Sequence, residues 1–125
     1  MSQQTSRTRR VGELLQQELG PMVQSELRDP RLAWVSIVGV NVSPDLKSAR
    51  VYYSCMPGTE ADNERDGVQD SLERASGYLH RQLARRLSLR AVPHLTFVYD
   101  ESLEQGDRIN RLLRSLDDDG EDDGQ

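Results

Sequence analysis

Asp62-Asn63-Glu64-Arg65-Asp66-Gly67-Val68-Gln69-Asp70-Ser71-Leu72-Glu73-Arg74-Ala75-Ser76-Gly77-Tyr78-Leu79-His80-Arg81-Gln82-Leu83-Ala84-Arg85-Arg86-Leu87 is the stretch on which the fold turns. Val68, Leu72, Ala75, Leu79 and Leu83 recur at steps of three and four, which puts them on one meridian of a 3.6-residue helix and predicts that this meridian faces a core. At 100° per residue Arg74, Arg81 and Arg85 fall within about 40° of one another, more than about 90° from the apolar stripe. One helix therefore offers an apolar side and a cationic side. Ala75-Ser76-Gly77 interrupts it. A mid-helix glycine costs about 1 kcal/mol relative to alanine, so a bend or a close backbone approach is expected there. Arg86 falls on the apolar meridian of a continuous helix, so the helix is expected to be rephased at Gly77 or to end before Arg86. Asp62 is a candidate N-cap.

Working outward, a three-stranded sheet is expected around this helix. Val11, Leu14, Leu15, Leu19, Met22, Val23 and Leu27 define an amphipathic helix over about 6–28. Pro21 removes the bond to the Gln17 carbonyl, which predicts a kink at Gly20-Pro21, and Asp29-Pro30 ends the helix. From Ala33 to Val42 and from Ser48 to Cys55 the period changes to two, around the turn residues Ser43-Pro44-Asp45-Leu46-Lys47, which predicts an antiparallel hairpin. After the long helix, Leu95 to Tyr99 reads as a third strand, so the helix crosses over the sheet. Ser102 to Leu116 reads as a final helix. The domain spans 6–116, between a disordered N-terminus over 1–5 and an acidic disordered tail over 117–125.

Composition excludes more than it assigns. The 125 residues carry a formal charge of -5, but six of the 21 acids lie in the last nine residues, so the remainder is close to neutral. All cations but Lys47 are arginine, a side chain suited to phosphate forks and base stacking. The single cysteine, Cys55, sits in an alternating apolar run and is expected to be buried. With no secretory signal and no run long enough to span a membrane, the expectation is a soluble cytoplasmic protein. His80 and His94 lie on different elements, no phosphate loop or nucleophile elbow is present, and neither metal, cofactor nor catalysis is expected. What remains is basic. Arg74, Arg81, Arg85 and Arg90, with Tyr78 and His80 interleaved, and Arg7, Arg9 and Arg10 at the start of the first helix, suit a ribose-phosphate backbone with aromatic contacts. A second reading is a protein-interaction module that uses Arg50, Tyr52 and the open face of the hairpin.

Several segments, in order and at compatible spacing, carry a more specific likeness: Arg9-Arg10-Val11, Arg28-Asp29-Pro30-Arg31-Leu32, Val40-Asn41-Val42-Ser43-Pro44-Asp45-Leu46 with Ala49-Arg50-Val51-Tyr52, Ala75-Ser76-Gly77, Leu87-Ser88-Leu89-Arg90 with Pro93, and Phe97 to Ser102. Over roughly Arg7 to Leu113 the chain resembles the ribosome-binding factor A family of bacterial assembly factors of the small ribosomal subunit. The resemblance implies an α+β, type II KH-like fold, α-β-β-α-α-β with a C-terminal helix. An Ala-X-Gly kink at Ala75, Ser76 and Gly77 there replaces a Gly-X-X-Gly loop. It further implies a non-catalytic monomer that binds free or precursor 30S subunits and their rRNA, with other assembly factors as possible partners. Late 16S rRNA maturation and growth in the cold are implied with it.

Overall fold

The computed structural model describes residues 5–102 and 112–113. Thr5 opens the first helix, α1 (Ser6–Pro21), through a capping box. Its hydroxyl accepts the Thr8 N–H at 3.1 Å, and the Thr8 hydroxyl accepts the Thr5 N–H at 2.9 Å. Thr5 is thus an ordered cap, not part of a disordered arm. α1 lies tightly on the sheet because Gly12 has no side chain; a Cβ there would stand 2.9 Å from the Val40 carbonyl oxygen. The kink expected at Gly20-Pro21 takes the form of a π turn, Met22–Glu26. Met22 donates its N–H to the carbonyls of Glu18 and Leu19. Leu15, Leu19, Met22 and Val23 are all fully buried, so the apolar phase runs through the irregularity. Arg28, at φ 56, turns the chain out of the helix.

A 3-10 turn, Pro30–Trp34, follows, in place of the first residues of the expected strand. Asp29 holds the Arg31 N–H at 3.1 Å and Pro30 fixes the first φ, so the chain coils until Val35. β1 (Val35–Val42) and β2 (Ser48–Cys55) form the expected antiparallel hairpin, with one bulge between Ile37 and Gly39. In the turn, the Asp45 carboxylate accepts the Ser43 hydroxyl at 2.6 Å and the Lys47 N–H at 3.0 Å, and Leu46 adopts φ 61. At the other end the Met56 N–H donates to the Trp34 carbonyl, and the Trp34 side chain is 47% exposed. β3 (His94–Tyr99) pairs parallel to β2, giving the order β1-β2-β3.

α2 (Glu60–Asn63) and α3 (Arg65–Arg86) connect β2 to β3. Asp62 does not cap α3; its carboxylate accepts the Gly58 N–H at 3.1 Å and pairs with Arg65 at 2.7 Å. The break expected at Ala75-Ser76-Gly77 is not a break in the hydrogen-bonded helix, because α3 runs through all three residues to Arg86. Within it the Ser76 hydroxyl donates to the Glu73 carbonyl at 2.8 Å, a local side-chain bond to the preceding turn. Arg86 is accommodated without rephasing. One turn beyond buried Leu83, it reaches over to α1's continuation and forks onto Glu26 at 2.6 and 2.7 Å.

The helices lie on one face of the sheet, and Val51, Tyr53, Phe97, Leu72, Leu79 and Leu83 form the centre of the core beneath them. Cys55 is buried and free, as expected, and burial pushes its thiol above the ordinary range. Tyr53 donates its hydroxyl to Gln69, whose amide donates to the Phe97 carbonyl at 2.9 Å, tying α3 to β2 and β3 at once. The expected final helix and the tails over 1–4 and 117–125 lie largely outside the described residues. Leu112 and Leu113, which are described, are helical and exposed.

Candidate nucleic-acid interface

Three of the arginines are committed to the fold. Arg31 forks onto Asp29 at 3.1 and 2.9 Å and donates to the Ser71 hydroxyl at 2.7 Å, which in turn donates to Asp29 at 2.9 Å. This arrangement holds the Asp29 carboxyl down at about 2, chiefly through the Arg31 hydrogen bonds. The guanidinium lies across Gly67 so closely that a Cβ there would run into Nη1. Arg65 pairs with Asp62 and lies 4.6 Å from the centre of the Tyr99 ring. Arg86, paired with Glu26, also holds that carboxyl below its ordinary value.

Arg74, Arg81 and Arg85 differ in kind. All three are exposed on the outer face of α3, and among the described residues none of them makes an ion pair. Tyr78, 37% exposed, and exposed Gly77 share their side of the helix. A Cβ added at Gly77 would meet nothing but the Arg81 guanidinium, at 3.5 Å. The continuous helix thus produces the single cationic face that the spacing predicts, with a bare segment of backbone in it. His80 does not join this face. It lies about 120° round the helix from the arginine stripe, half-buried, with Nε2 2.9 Å from the Val92 carbonyl oxygen, where it ties α3 to the connection before β3.

The arginines of α1 belong to a second surface. Arg7 and Arg90 line a groove of about 790 Å³ together with Lys47, over an apolar floor that includes Val11, Leu46 and Val92. Arg9 and Arg10 are exposed on the same first turns of α1. Asp45 also lines the groove, but its carboxylate is held by Ser43 and by the Lys47 backbone. Lys47 is the residue that sequence reasoning passed over as part of a turn. Strand pairing brings it there, since the His94 N–H donates to the Lys47 carbonyl at 2.9 Å and so sets the connection carrying Arg90 beside the hairpin turn. Among the described residues no three His, Cys, Asp or Glu side chains are grouped to hold a metal ion, and no helix is long and apolar enough to cross a membrane.

A three-stranded sheet with α1 and α3 on one side, and two cationic surfaces left open among the described residues, defines a small α+β protein of the KH-like kind with charge available for a polyanion. Comparison with known proteins identifies the group. The family described as Ribosome-binding factor A matches residues 7–113, and the chain belongs to that family. It is 46% identical over 113 residues to the ribosome-binding factor A of Nitrosococcus oceani, covering 90% of this chain and 87% of that one. With the Coxiella burnetii protein of the same name (strain Dugway 5J108-111) it shares 45% over 109 residues, 87% and 88% of the two chains. The crystal structure of ribosome-binding factor A from Thermus thermophilus superposes with a TM-score of 0.64 at 29% identity, over 74% of this chain and 94% of that one. A homology model of the Thermus thermophilus factor, fitted into the cryo-EM map of its complex with the 30S subunit, gives 0.59 at 30% identity, over 72% and 91%.

Proposed function

We propose that this chain is a non-catalytic assembly factor that binds free or precursor small ribosomal subunits, with Arg74, Arg81 and Arg85 of α3 meeting rRNA phosphates. The observation that carries the reading is the sorting of the cations: Arg31, Arg65 and Arg86 are consumed inside the fold, while the α3 stripe makes no ion pair among the described residues. Family membership and the Thermus thermophilus complex supply the partner's class. Tyr78 adds an aromatic surface, and Gly77 keeps the α3 backbone bare, so that a ribose-phosphate strand can approach beside Arg81. Arg7, Arg9, Arg10 and Arg90, with Lys47, form a second electrostatic contact, and His80 contributes by holding the connection in place. The factor acts in the cytoplasm as a monomer, late in 16S rRNA maturation, and supports growth in the cold.

Replacing Arg81 and Arg85 together by glutamate is expected to lower co-sedimentation with immature small subunits at least tenfold with Tm unchanged; wild-type binding by this variant would refute the face. Affinity for the subunit is expected to fall steeply with salt, as counterions are released from the contacted phosphates. A flat salt response would favour recruitment through a ribosomal protein or another assembly factor.

A further inference from the structure

The sheet has a second face that no helix among the described residues covers. Alternation puts Ser48, Arg50, Tyr52 and Ser54 of β2 on it, and the register adds Gly39 of β1 and Val98 of β3 on either side of Tyr52. Arg50, Ser48, His94 and Thr96 are exposed there, and no strand residue on this face is an Asp or Glu. Arg50 makes no ion pair and the Tyr52 hydroxyl no hydrogen bond among the described residues. An aromatic ring opposite a glycine in a sheet often closes over it, but here a Cβ added at Gly39 would meet nothing within 4 Å. The ring is therefore flanked by Val98 on one side and an empty slot on the other.

We infer that Tyr52 is a stacking platform for one unpaired base of single-stranded RNA, with Gly39 as the slot that admits the base and Arg50 and His94 as contacts for the flanking backbone. An aromatic side chain on the middle strand of an open sheet presents its face to any base, while neighbouring cations hold the phosphates. No strand residue of this face is an acid, which suits an anionic partner, and one ring beside one valine among polar and basic groups offers too little apolar area for a protein core contact. The surface is also continuous with the groove. Lys47 immediately precedes Ser48, which pairs with His94, so a strand leaving Arg7, Lys47 and Arg90 passes directly onto the sheet.

The inference rests on the RNA-binding reading above, yet it can fail alone. Fluorescence anisotropy of the full chain with an unstructured oligoribonucleotide of about twelve nucleotides measures it, alongside co-sedimentation with small subunits. Tyr52→Ala and Gly39→Val are each expected to weaken oligonucleotide binding about tenfold, with Tm preserved, and Tyr52→Phe to bind as wild type because the ring remains. Should Tyr52→Ala prove unstable, Gly39→Val and Tyr52→Phe still decide. Wild-type affinity in Gly39→Val, or equal loss in Tyr52→Phe and Tyr52→Ala, overturns stacking. So does a Tyr52 dependence seen with subunits but not with oligonucleotide, which would make this face a protein dock. If instead the Arg81→Glu, Arg85→Glu variant binds subunits normally while Tyr52→Ala loses the oligonucleotide, the α3 reading fails and the platform stands.

Discussion

Helix α3 carries two glycines, and they are there for opposite reasons. Gly67, in the first turn, lies under the Arg31 guanidinium, which Asp29 and Ser71 hold in place. Gly77, in the second half, has an open face with one loose arginine above it. The first glycine is required by the fold; the second is tolerated by it at a cost of about 1 kcal/mol. The same division runs through the cations of this helix and its neighbours. Arg31, Arg65 and Arg86 are locked into ion pairs with Asp29, Asp62 and Glu26, whereas Arg74, Arg81 and Arg85 on the outer face make none among the described residues. Such charge adds little to stability where it stands, since solvent screens it, so its purpose is to be sought in a partner.

The contrast can be broken at several points. Asp29→Ala should have the largest effect on stability, about 1–2 kcal/mol by chemical denaturation, less than the full linkage value because the group is partly wet. The carboxyl is depressed from its ordinary range to about 2, so its stabilisation is fully present above pH 4 and is lost as the pH falls toward 2. Wild type and variant should converge in stability there; parallel curves down to pH 2 would show that the Asp29–Arg31 pair is not what the substitution removed. Gly77→Leu should lower small-subunit affinity about tenfold, or about 1.4 kcal/mol, while stability changes by less than 1 kcal/mol. Equal losses in both would make Gly77 a packing residue. Gly67→Ala should destabilise by roughly 0.5–1 kcal/mol, because displacing the guanidinium outweighs the gain in helix propensity. In an Arg31→Ala background the same substitution should turn stabilising, and Gly77→Ala should be stabilising from the start. A Gly67→Ala cost that persists without Arg31 would mean that the arginine is not its cause. The smallest effect expected is that of Arg86→Gln, a slight fall in Tm that disappears at high salt, as for a half-exposed ion pair.

How much of this was legible in the chain depends on the range of the cause. The hairpin from Ser48 onward, the third strand, the first helix and the arginine stripe all follow from local period, and each appears where the residues put it. Period could not say that Ala33-Trp34 would coil, since that depends on Asp29 capping a 3-10 turn, although the Asp-Pro signal was in view. Nor could it sort the arginines. Arg31 finds Ser71 across 40 residues and Arg86 finds Glu26 across 60, so identical side chains acquire opposite roles only once the sheet has brought their partners together. The groove has the same origin, with Arg7, Lys47 and Arg90 drawn from three segments. Tyr52, by contrast, was visible as an outward residue of β2. What the sequence lacked was its neighbour Gly39, because the bulge after Ile37 sets which residue stands opposite.

The half-exposed Trp34 bears on how all these variants will be measured. It is the only tryptophan in the chain, and it stands at the open end of the hairpin, where its carbonyl receives the Met56 N–H. Indole emission therefore reports fraying of one strand end, not loss of the core. A melting curve followed by that signal should begin before one followed by far-ultraviolet circular dichroism, and the gap between the two would measure how independently the open end of the hairpin frays.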